Sequence, residues 1–119
     1  MVFLFINKLM TQTKINKLLS KKEICAQMDE LIGKLVARDK TLESLEKSAD
    51  GFRELISRTE KNIRHPDILD FQRFKFKKYK TKCERGLEEV EFDIKRFSNE
   101  AEVWKLEWCE LDTLLDDFK

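Results

Sequence analysis

Two ladders of mostly apolar residues, one on either side of a single proline, restrict this chain to long helices. The first runs Met28, Leu31, Leu35, Arg38, Leu42, Leu45, Ala49, Phe52, Ile56, Thr59, Ile63. The second runs Cys83, Leu87, Val90, Ile94, Phe97, Ala101, Trp104, Trp108, Leu111, Leu115, Phe118. Steps of three and four alternate in both, and only Arg38 and Thr59 are polar. A sustained 3.5-residue period places each ladder on one helical stripe and predicts a left-handed coil around a partner.

Pro66 lies between the ladders. Proline removes a backbone donor and clashes inside a helix, but it suits a first helical position. It also drives the residue before it, His65, out of the α region. Asp67 then falls where a negative charge complements a helix start. These signals predict helix one over about 10–64, a turn at 65–66 and helix two over about 67–118. Gly51 and Gly86 fall inside helices at about 1 kcal/mol each relative to Ala; the ladders keep phase through both, so no break is expected. The short connection predicts an all-α fold, a long antiparallel coiled-coil hairpin forming one domain over 1–119.

Composition agrees. With 3 Gly and 1 Pro, the chain lacks the turn residues that a β-rich fold of 119 residues needs. A charged fraction of 39% beside 41% hydrophobic residues is the mixture of a coiled coil. Nine Phe and two Trp supply surface to bury and exclude a disordered chain. Apolar residues also stand outside the ladders: Ile32, Val36 and Leu55 in helix one, and Phe71, Phe74, Phe76, Phe92, Leu106 and Leu114 in helix two. One hairpin seam does not absorb them all, which predicts a third helix or a second chain, as a homo- or heterodimer through helical faces. The predicted interface residues are Leu35, Leu42, Leu45, Phe52, Ile56, Leu87, Val90, Ile94, Phe97, Trp104, Trp108, Leu111 and Leu115. Trp104 and Trp108 are expected to fill a wide gap between helices.

The net charge is +1, but the charge is segregated along the chain. Residues 8–22 hold five Lys and no acid, residues 71–85 seven basic residues against one Glu, and residues 99–119 seven acids against two Lys. Cys25, Cys83 and Cys109 are odd in number and widely spaced, which argues against a disulfide framework or a zinc site and for a reducing compartment. The apolar run 2–6 is far shorter than the roughly 20 residues that span a bilayer. No basic region precedes it, so no signal peptide is expected.

Catalytic chemistry has little to work with. His65 is the single His and sits beside Pro, a turn position. There is no phosphate-binding glycine loop, no nucleophile elbow and no H-E-x-x-H. Adjacent acids such as Glu88–Glu89 and Asp116–Asp117 point to different sides of a helix. The expectation is a non-enzymatic protein with no metal, cofactor or small-molecule substrate.

The segment 71–82 carries four aromatics and six basic residues. Arg73, Lys75, Lys77, Lys78, Lys80 and Lys82 are the candidate contacts to an anionic membrane, each worth about 1 kcal/mol near such a surface. Lysine with aromatics also suits single-stranded nucleic acid, a less favoured reading. The plain structural alternative is a helix with its rings packed inward and its lysines merely solvated.

Several residue runs together resemble a known family. They are Val36 to Leu42, His65 to Leu69 with its Pro-Asp break, Val90 to Phe97, Glu102 to Trp104, and the closing Leu115, Asp116, Asp117, Phe118 and Lys119. This pattern resembles the last two helices of the BAR domain of sorting nexins, over roughly residues 35–119. The family's phosphoinositide-binding PX domain and most of a first BAR helix have no counterpart in the sequence before Met28. The resemblance implies a crescent-shaped dimer of helical coiled coils whose basic face binds curved endosomal membranes in protein sorting. It implies a cytoplasmic protein, peripheral on endosomes. The competing expectation is a coiled-coil adaptor that binds a helical protein and no membrane.

Overall fold

The computed structural model describes residues 20–118, and these form two long helices with no strand among them. Helix α1 spans Lys21–Arg64, 44 residues, and helix α2 spans Asp70–Asp116, 47 residues. The fold is the expected all-α antiparallel hairpin. Neither helix breaks at its glycines, none of which has positive φ.

The start of α1 is set by a reciprocal cap. The Glu23 backbone N–H donates to Ser20 Oγ at 3.2 Å, and the Ser20 hydroxyl donates to Glu23 Oε1 at 3.0 Å. Ser20 C=O accepts the first helical bond from Ile24 N–H. The Ser20 side chain thereby satisfies one of the backbone donors that a helix start leaves without partners, and Glu23 orients its hydroxyl. Among the described residues the helix begins at Lys21; residues 10–19 of the expected helix lie outside the described residues.

The turn is longer than expected, covering residues 65–69, and α2 starts at Asp70 rather than Asp67. Pro66 is a turn residue, not the first residue of the helix. Two side chains account for this. The Asp67 N–H donates to His65 Nδ1 at 3.2 Å, which closes a small turn around Pro66. The Leu69 N–H donates to Gln72 Oε1 at 3.0 Å, while Leu69 C=O accepts from Gln72 and Arg73 N–H. Leu69 is thus the cap residue, and Gln72 supplies the returning half of a capping box.

The chain packs as two units, one of residues 20–40 with 97–118 and the other of residues 41–96. In the first, Ile24, Met28, Leu31, Leu111 and Leu114 form a buried cluster, with Trp104, Trp108 and Leu115 packed against it. Arg38 also lies in this seam. Its guanidinium sits 4.2 Å from the Phe97 ring centre and 5.0 Å from that of Trp104, and it pairs with Glu100 at 2.9 Å. A flat, weakly hydrated cation can be covered by rings while its stem packs as hydrocarbon, so a charged residue holds a ladder position.

In the second unit, the fully or nearly buried residues are small: Ala49, Thr59 and Cys83. The Thr59 hydroxyl donates to Leu55 C=O at 2.7 Å, which removes the cost of burying it. The Phe52 ring occupies the space above Gly86, where an added Cβ would meet it at 2.6 Å. Lys80–Glu60 at 3.2 Å and Arg53–Glu91 at 3.7 Å flank this seam.

A candidate basic and aromatic surface

The seam pattern of α2 continues backwards from Cys83 through Lys80, Phe76 and Arg73, each at least half-buried. This divides the basic segment into two sets. Arg73 Nε donates to Ile63 C=O at 3.2 Å and so satisfies a carbonyl in the last turn of α1, where cations also suit the dipole. Lys80 pairs with Glu60. Arg73 and Lys80 thus contact α1 across the seam, which sets these two candidate residues apart from the other four. The cause is the 3.5-residue period, which turns both side chains toward α1.

Lys75, Lys77, Lys78 and Lys82 are exposed. Phe71, Phe74, Lys78, Lys82 and Arg85 follow one another at steps of three and four, so they form one stripe on the side of α2 away from the seam. Phe71 and Phe74 are each 60% exposed. The Lys78 ammonium lies 4.9 Å from the Phe74 ring centre. Phe74, Tyr79 and the surrounding lysines line a shallow open recess that ends at Arg85. A hydrogen bond with the Cys83 thiol raises the Tyr79 phenol above its ordinary pKa. Past Arg85 the surface changes sign, and Glu88, Glu89 and Asp93 surround the exposed Phe92.

The thirteen predicted interface residues all line the seam within the hairpin, Leu111 buried and the rest half-buried. Of the apolar residues outside the ladders, Leu114 is buried and Leu55 and Phe76 are half-buried, so the hairpin absorbs these three itself. Ile32, Val36, Phe71, Phe74, Phe92 and Leu106 remain exposed.

No other chemistry gathers among the described residues. No group of His, Cys, Asp and Glu is arranged to hold a metal ion there. Cys25, Cys83 and Cys109 are free thiols. His65, with Nδ1 accepting from the turn, has a structural task. No described helix is long and apolar enough to cross a membrane. Comparison of the chain with protein-family models, curated proteins and solved structures returns no match.

Proposed function

We propose that this chain is a non-enzymatic, BAR-like dimerisation and membrane-contact module of sorting-nexin type that acts in endosomal protein sorting. The observation that carries this reading is the outward stripe of α2, where Lys78, Lys82 and Arg85 follow the exposed Phe71 and Phe74, with Lys75 and Lys77 exposed nearby. A cluster of cations in which lysines outnumber acids attracts anionic headgroups, and rings beside them suit the headgroup–acyl boundary. The family resemblance supplies the dimer and the endosomal setting. Co-sedimentation of the folded chain with anionic vesicles at low salt tests the membrane contact, and light scattering tests the dimer. The reading predicts binding that is lost when Lys75, Lys77, Lys78 and Lys82 are all changed to Glu with helicity kept. A folded monomer that ignores anionic vesicles refutes it.

A second reading, a coiled-coil adaptor for a helical protein, draws on α1. Ile32 and Val36, one turn apart, are 46% and 51% exposed on the flank of the seam. That reading expects Ile32→Glu with Val36→Glu to abolish pull-down of a helical partner and leave lipid binding untouched.

A further inference from the structure

We infer that the hairpin docks on an anionic bilayer by the turn-proximal part of α2, with Phe71 and Phe74 entering the headgroup–acyl boundary while Lys75, Lys78, Lys82 and Arg85 hold the headgroups. This rests on the membrane reading above and departs from contact along the length of a BAR-type face.

The placement of the rings carries the first part. Seam positions bury apolar side chains in this hairpin, yet Phe71 and Phe74 occupy outward positions and keep 60% of their surface in water. Leu69, at the cap of α2, is 59% exposed. Two large rings three residues apart thus stand on one face at the turn-proximal end of the stripe.

Charge carries the second part. No acid occurs between Phe71 and Cys83. Asp70, just before it, is paired with Arg73 at 3.5 Å, and Glu84, beside Arg85, is the one acid within the span of the stripe. The lysine stems are long enough to keep their ammonium groups at headgroup level while the rings go deeper. Lys78, now over the Phe74 ring, has only to swing outward to do so.

The third part is where the stripe ends. From Phe71 to Arg85 it runs about 21 Å at 1.5 Å per residue. Glu88, Glu89 and Asp93 follow and would meet an anionic surface with like charge. Phe92, 67% exposed, stands among those acids and is not an insertion site. The contact is therefore bounded by the turn on one side and by these acids on the other.

The test uses the whole chain and phosphatidylcholine vesicles with and without phosphatidylserine, some with brominated acyl chains. Phe71→Ala with Phe74→Ala should keep wild-type helicity and bind phosphatidylserine vesicles roughly tenfold more weakly, with the remainder lost at high salt. Phe74→Trp should bind like the wild type and show bromine quenching beyond that of Trp104 and Trp108. An alanine pair that binds as tightly as the wild type, or a Phe74→Trp signal with no added quenching, overturns the inference and leaves the membrane reading standing. A folded wild type that ignores the vesicles overturns both, and binding to a single-stranded oligonucleotide in its place would assign the stripe to nucleic acid.

Discussion

In the unit formed by residues 20–40 and 97–118, large side chains fill the seam: Ile24, Met28, Leu31, Leu111 and Leu114 are buried, with both tryptophans against them. In the unit formed by residues 41–96, the buried positions are Ala49, Thr59 and Cys83, and a ring lies over Gly86. The same period of three and four runs through both. One unit gains its stability from apolar volume. The other fully buries only small residues, half-buries Phe52, Phe76 and its larger aliphatics along the seam beside flanking ion pairs, and leaves Phe71, Phe74 and Phe92 outside. The difference separates two tasks: the first unit buries large side chains fully, while the second leaves Phe71, Phe74 and exposed lysines for a surface.

Substitutions can break that contrast. Ile24→Ala should have the largest effect, about 2–5 kcal/mol in chemical denaturation, because Ile24 is fully buried. A loss below about 1 kcal/mol would mean that the tryptophan-lined unit does not depend on apolar volume. Gly86→Ala comes next. The new methyl meets Phe52, so a net loss of about 1–2 kcal/mol is expected despite the better helix propensity. Gly33→Ala and Gly51→Ala meet nothing within 4 Å and should stabilise by up to about 1 kcal/mol. Thermal melts of the three variants compare the signs, and a stabilised Gly86→Ala would refute the tight seam.

Lys80→Glu and Lys78→Glu sharpen the division of the basic segment. The first brings two acids together at the Glu60 pair and should cost about 1 kcal/mol. The second should leave the melting temperature within error and weaken vesicle binding. Equal melting temperatures would place Lys80 with the solvated lysines. The smallest change expected is from Thr113→Lys, an exposed position whose hydroxyl bonds only its own helix. Helix α2 has no basic residue in its last turn, and a cation there should add roughly 0.3–1 kcal/mol, visible as a small rise in melting temperature.

The ladders were legible in the sequence because burial in a two-helix seam is a matter of period. Every position of the first is at least half-buried. The second holds as far as Leu115; Phe118 is 46% exposed because α2 has already ended at Asp116. The ladder could have been carried back from Cys83 to Arg73, but Lys80 and Arg73 look like solvent residues until their partners on α1 are known. Ser20 and Glu23 form a sequence-readable cap that fixes the start of α1. The start of α2 was harder to read. Pro66 looks like a first helical residue, and only the bonds of His65 and Gln72 defer the helix to Asp70. The outward stripe was visible as composition, but the sides taken by Phe71 and Phe76 emerged only from the seam.

The hollow at Gly86 has a consequence for uniqueness. A heptad seam nearly repeats after seven residues, so sliding one helix past the other by that amount still sets apolar against apolar. Shape lifts this degeneracy. Gly86 is the only residue of α2 without a Cβ. A slide of one heptad would bring the Phe52 ring onto Tyr79 or Asp93, where a side chain already stands. Of the alignments that the apolar pattern tolerates, a single absent methyl admits one.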